Sequence, residues 1–160
     1  MRPGLKLIAL ATLATTLSLP ATAIDRRVPA SREAVDELEA HDARVITDPA
    51  TGAPRLVRIP PGSLQLEGAD PKSKAMDFFV TFGEAFGIED PTGDLELVKN
   101  TEDQLGMTHL SFAQIYEGVP VFGARVVAHF DRRGELVTVN GAVVPDIELL
   151  RELRHDTPHL

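Results

Sequence analysis

Ala124-Arg125-Val126-Val127-Ala128-His129-Phe130 alternates in character along its length. Ala124, Val126, Ala128 and Phe130 fall on one side of an extended chain, Arg125 and His129 on the other. A period of two marks a strand with one face in a core and one in solvent. On its N-terminal side the run is fed by Val119-Pro120-Val121-Phe122-Gly123, and before that by a second strand, His109 to Tyr116, closed by Glu117-Gly118. On its C-terminal side Asp131-Arg132-Arg133-Gly134 reads as a tight hairpin loop and Glu135 to Val139 as the returning strand. Asn140-Gly141 is expected to turn the chain again, into Ala142-Val143-Val144-Pro145. Leu95 to Lys99 precedes this group, separated from His109 by a polar turn expected over Asn100 to Gly106. Consecutive strands with short loops pair antiparallel, so the C-terminal half is expected to be a curved antiparallel sheet.

One strong helix signal lies before these strands. Asp70-Pro71 supplies an N-cap and a first-turn proline, and Gly87 stands where a helix terminus favours positive φ. Between them Ala75, Met76, Phe79, Val80, Phe82 and Phe86 recur at intervals of three and four. That stripe is better explained by packing on the sheet than by a cofactor box, and the fold class is α+β with one main helix on the sheet. Nearer the N-terminus, Ser31 can cap a short surface helix with Ala34, Val35 and Leu38 at helical spacing. Arg44-Val45-Ile46-Thr47 and Arg55-Leu56-Val57-Arg58-Ile59 flank Asp48-Pro49-Ala50-Thr51-Gly52 as a hairpin, ended by Pro60-Pro61-Gly62.

The first 23 residues read as a cleaved leader. Arg2 and Lys6 form a basic start, Leu7 to Leu19 is apolar and uncharged, and Ala21 and Ala23 are the small residues a signal peptidase requires. This uncharged stretch of thirteen residues is too short to span a bilayer, which takes about 20, so no stable membrane anchor is expected. Without the leader, 160 residues become 137, and loss of two cations moves the net charge from −8 to −10. The expected location is secreted or periplasmic. The expected organisation is a leader (1–23), an N-terminal helix and hairpin segment (24–69), a main helix-and-sheet domain (70–146) and a linker or tail (147–160).

Composition closes several routes. Absence of Cys removes disulfides, thiolate metal sites and thiol nucleophiles. The acidic balance argues against a nucleic-acid surface. The five His (41, 109, 129, 155 and 159) contain no His-Glu-x-x-His, and Pro158 interrupts the His155/His159 pair. No Gly-x-Ser-x-Gly elbow or phosphate-binding glycine loop is present. His109 and His129 are placed to share a strand face, with Asp131 nearby, but such a pair is more often a surface feature than catalytic machinery. Acid pairs such as Glu89-Asp90 and Glu102-Asp103 read as solvated loops. No catalytic and no metal-ligating residues are assigned, which points to binding or assistance rather than turnover.

Thr108-His109-Leu110-Ser111-Phe112-Ala113-Gln114-Ile115-Tyr116-Glu117-Gly118-Val119-Pro120-Val121-Phe122-Gly123, followed by Val127-Ala128-His129-Phe130-Asp131, Gly134-Glu135-Leu136, Val139-Asn140-Gly141 and Val144-Pro145, resembles the fungalysin/thermolysin propeptide domain. The resemblance is strong over about 40 residues, and Gln-x-x-x-Gly-Val-Pro-Val-Phe-Gly is its most specific part. It implies a module from the pro-region of secreted zinc metallopeptidases, acting as intramolecular chaperone, as inhibitor, or as both, on a thermolysin-like peptidase domain in cis or in trans. Zinc is then expected only in that peptidase domain, and this chain needs no cofactor. Complete precursors of the family carry a PepSY-type domain and the peptidase after this module; this chain is expected to lack both. Tyr116, Val119, Pro120, Val121 and Phe122 are the candidate partner-binding residues, although plain packing within the sheet is the favoured reading of Tyr116, Val121 and Phe122. The alternative is a free-standing secreted domain of the same fold that binds another envelope or extracellular protein; an enzyme built on His109, His129 and Asp131 ranks last.

Overall fold

The computed structural model describes residues 31–145 and residue 147. The leader with Ala21 and Ala23, the tail beyond residue 147 and the His155/His159 pair lie outside the described residues. Ser31 caps α1 (Arg32–Ala40), its hydroxyl accepting from the Ala34 N–H at 3.3 Å. The hairpin β1 (Arg44–Thr47) and β2 (Pro54–Arg58) follows, and then α2 (Pro71–Phe82). Asp70 caps α2 by accepting from the backbone N–H groups of Lys72 and Ser73, and Pro71 occupies the first turn, where its missing N–H costs nothing. The helix tightens into a 3₁₀ turn over Gly83–Phe86, and Gly87 ends it in the left-handed region. A short α3 (Pro91–Asp94) leads into β3 (Leu95–Glu102), β4 (Thr108–Tyr116), β5 (Val119–Phe130) and β6 (Leu136–Ala142).

All six strands form one open antiparallel sheet in the order β1-β2-β6-β5-β4-β3. The α+β class and the helix packed on an antiparallel sheet are therefore as the sequence implies. The β1–β2 hairpin joins through β2 and β6, with Leu56 opposite Asn140 and Val57 opposite Val139. That pairing spans some 80 residues, so no local sequence signal announces it.

The core sits between the helices and one face of the sheet. Phe78, Phe79, Phe82 and Phe86 meet Leu110, Phe112, Val126, Ala128, Phe130 and Val139 there, all almost entirely buried. Phe79 is the aromatic hinge of this layer, edge-on to Phe78, Phe86 and Phe112 at centroid distances of 5.3, 5.8 and 5.8 Å. Lys74 on α2 donates to the Gly134 carbonyl at 2.8 Å, fastening the helix to the β5–β6 loop.

Three expectations need correction. Val80 is not part of the apolar face: it is 64% exposed, and Phe78, completely buried, takes the inward position. A helix turns 100° per residue, and the inward direction is set by the sheet rather than by which residues are apolar. The polar stretch Asn100 to Glu102 is strand, paired with Leu110 to Thr108, so the turn begins only at Asp103. Asn140-Gly141 makes no turn but lies within β6, opposite Val127 and Val126. Gly141, at φ 147°, is there because β5 passes very close: a Cβ would collide with the Arg125 carbonyl oxygen and lie 2.8 Å from Val126 Cα.

Candidate functional site

The β4–β5 hairpin turns on Glu117 and Gly118, both at positive φ (49° and 77°), as a two-residue hairpin turn that follows strand twist requires. The ladder is regular at its tip, where Tyr116 faces Val119 and Ile115 faces Pro120. It is regular again from Ala113 opposite Arg125. Between those pairs β4 has only Gln114, whereas β5 has Val121, Phe122, Gly123 and Ala124. The surplus of β5 must bulge, and Gly123 at φ 78° supplies the bend.

The bulge has opposite effects on its two sides. Phe122 is 103% exposed and Val119 64% exposed, with Pro120 exposed and Tyr116 and Val121 half-buried. Plain packing within the sheet, the reading the sequence favours for Tyr116, Val121 and Phe122, does not occur at Phe122. Across from the bulge, Gln114 is 2% exposed and turns its amide to Val144, donating to the carbonyl and accepting from the N–H at 2.8 Å each. A side-chain amide thus pairs as a backbone would and secures the chain just after β6. Along Gln-x-x-x-Gly-Val-Pro-Val-Phe-Gly the fixed residues so divide into a latch, a turn, a break in the ladder, a bulge and a projecting ring.

A second cluster lies on the sheet face away from the helices. His109 and His129, directly opposed on β4 and β5, place their Nδ1 atoms 2.7 Å apart. His109 Nε2 contacts Asp103 Oδ2 at 3.0 Å, and His129 Nε2 contacts Asn140 Oδ1 at 2.6 Å. The N–H groups of Leu105 and Met107 donate to Asp103 Oδ1. The Met107 N–H foremost, then His109, hold the Asp103 carboxyl below the usual carboxylate range. An ionised carboxylate accepts only, so His109 Nε2 donates. Asp131 is not in this chain: it accepts from the N–H groups of Arg133 and Glu135 and shapes the β5–β6 loop. Asp103, expected to be a solvated loop acid, is the true partner. The sequence signal for it was only its distance from His109, six residues, hidden by the turn being placed too early.

This cluster ties three strands together, β4 through His109, β5 through His129 and β6 through Asn140. Among the described residues no three His, Asp or Glu side chains converge as metal ligands.

Comparison with known proteins finds a match over four of the six strands. Residues 93–143 carry the Fungalysin/Thermolysin Propeptide Motif. The match covers β3 to β6 and contains both the Phe122 bulge and the Asp103–His109–His129–Asn140 chain. Bacillolysin of Bacillus subtilis (strain 168) is 34% identical over 77 residues, which is 48% of this chain and 15% of that protein. Thermolysin of Alicyclobacillus acidocaldarius subsp. acidocaldarius is 41% identical over 54 residues, 34% of this chain and 10% of that protein. Bacillolysin of Bacillus cereus is 40% identical over 48 residues, 30% of this chain and 8% of that protein. The chain therefore spans no more than about a seventh of the length of these relatives. No solved structure matches.

Proposed function

We propose that this chain is the non-catalytic propeptide module of a secreted thermolysin-like zinc metallopeptidase, engaging the peptidase domain in cis or in trans as a folding template, an inhibitor, or both. The observation that carries the reading is the propeptide motif coinciding with a hairpin whose bulge drives Phe122 wholly into solvent. A large apolar ring held out by a fixed backbone costs solvation in the isolated module and gains most when a partner covers it. Val119, Pro120, Val121 and Tyr116 frame that ring and complete the proposed contact. A partner that binds the native peptidase but not its unfolded chain stabilises the native form by mass action. Zinc belongs to the peptidase in this reading, and the module contributes shape and apolar surface. Among the described residues no helix is long and apolar enough to cross a membrane. Export through a cleaved leader agrees with the secreted nature of thermolysin-like enzymes.

The test is refolding. Denatured bacillolysin is diluted into buffer with and without the chain, and recovered peptidase activity is followed. The expected result is a higher yield with the chain, reduced severalfold by Phe122→Ser, a substitution at a site with no packing to lose. Equal yields together with no inhibition of native bacillolysin would refute the reading. They would favour the alternative of a secreted domain that binds some other protein.

A further inference from the structure

We propose that the uncovered face of the sheet is a second docking surface, centred on Arg44 and Arg58, for a carboxylate-rich surface of the partner protein. This deepens the reading above, since the partner meant is the peptidase domain. The sheet carries helices on one side only, and its register assigns every residue of the other side. One row across the strands is Arg44, Arg58, Thr138, His129, His109 and Thr101. The next is Ile46, Leu56, Asn140, Val127, Ser111 and Lys99, and a third holds Arg125 and Glu96 about Ala113. Four permanent cations thus share a face with Glu96 as the only acid in these rows, on a chain whose net charge is −8. The acids of this face, Glu96 and the Asp103 carboxylate bound to His109, lie at its β3 end, away from Arg44 and Arg58.

The centre of this face is energetically unfavourable in isolation. Arg44 and Arg58 are direct cross-strand partners, an arrangement in which like charges repel. Both are exposed, and among the described residues neither has an ion-pair partner. Protection of a sheet edge accounts for a charge on β1, the edge strand, but not for Arg58 on β2, an interior one. Arg44 and Arg58 line an apolar slot together with the next cross-strand pair, Ile46, 46% exposed, and half-buried Leu56. Two cations beside an apolar pair suit carboxylates interspersed with aliphatic side chains, a polypeptide surface. A polyphosphate or nucleic acid has no apolar group for that slot, and the acidic remainder of the molecule repels it.

Three proteins are compared for the test: the full chain, Arg44→Gln/Arg58→Gln, and Arg44→Glu/Arg58→Glu, each checked by circular dichroism melting to confirm an unchanged fold. Binding is measured to immobilised bacillolysin held inactive by an active-site inhibitor, at low and at high salt. A second arm records the nuclear magnetic resonance spectrum with a Glu/Leu copolymer peptide and, separately, with polyphosphate. The expected result is binding weakened on the order of tenfold by the Gln pair and further by the Glu pair, with salt dependence largely lost in both. The copolymer is expected to shift Ile46, Leu56 and Arg58 signals. If the wild-type chain binds bacillolysin and the Glu pair binds equally, this inference is overturned while the function stands. If bacillolysin is not bound but the copolymer shifts those signals, the docking face stands and the proposed function fails. A response to polyphosphate alone, or to neither probe, overturns the inference.

Discussion

Replacing Phe78 by Ala should cost this protein far more than any change at its neighbour Val80, although both are apolar and both belong to α2. Phe78 is completely buried and meets Phe79 and Phe82 at 5.3 Å and Phe86 at 6.2 Å. Truncation leaves a ring-sized void in a layer of aromatic side chains, for which measured costs run about 3–5 kcal/mol. Loss of three ring–ring contacts places Phe78→Ala towards the upper half of that range, about 4 kcal/mol. Domains of this size hold together by about 5–15 kcal/mol, so the variant should remain folded but close to its limit. At about 4 °C per kcal/mol the melting temperature should fall by about 16 °C. Phe78→Leu, which refills most of the volume, should lose about 1.5 kcal/mol or less. Val80→Ser, at a site 64% exposed, should lie within about 0.5 kcal/mol of the parent. Urea unfolding followed by circular dichroism, with thermal melts in parallel, measures all three. A Val80→Ser loss equal to that of Phe78→Ala would show that the helix faces the sheet in a different rotation, and the packing argument would fall.

Gly141→Ala should destabilise by about 3 kcal/mol or more, because the new methyl meets the Arg125 carbonyl oxygen at a φ of 147°; Gly118→Ala, strained in φ but with open space around it, should cost only about 1 kcal/mol. Equal losses in the two would remove the close-approach explanation. Gln114→Ala removes both partners of the Val144 backbone and should cost about 2 kcal/mol, with the Val144 amide losing protection in hydrogen exchange ahead of the rest of the sheet. Acid should weaken the fold. The carboxyls of Asp70 and Asp103 are held low by hydrogen bonds, from Ser73 in the first case and chiefly from the Met107 N–H in the second. Their contribution is present above the unfolded carboxylate value of about 4 and is lost as pH falls through their lower folded values. Burial raises Asp94, which acts in the opposite sense, gaining stability on protonation. Melting temperature should thus decline below about pH 4, and Asp103→Asn should flatten that decline. An unchanged acid limb in the variant would show that Asp103 has no part in it.

How much of this could be read from one dimension differs from element to element. The β4–β5–β6 strands, the Asp70 cap, the Glu117-Gly118 turn and the inward set Ala124, Val126, Ala128 and Phe130 were all legible. Each depends on a period of two or on capping chemistry that operates within a few residues. The aromatic helix was legible as a helix, but its inward face was misjudged at Val80 because Phe78 could be recognised as inward only with the sheet in place. The Gln-x-x-x-Gly-Val-Pro-Val-Phe-Gly run carried the family resemblance while its mechanics stayed hidden. That Gln114 grips Val144 and that Phe122 stands free both follow from β5 carrying more residues than β4 across the same span.

The amino-acid sequence by itself therefore determined the α+β class, the succession of antiparallel hairpins and the family resemblance. These are properties of near neighbours in the chain and of composition. Only the tertiary structure decided that β2 pairs with β6, that Asn140-Gly141 stays in a strand, that Asp103 rather than Asp131 joins the histidines, and that Arg44 confronts Arg58. Each of those requires two segments to be brought together and fixed in register. Register is a collective outcome of core packing across the whole sheet, because a slip of one residue would exchange its buried and exposed faces.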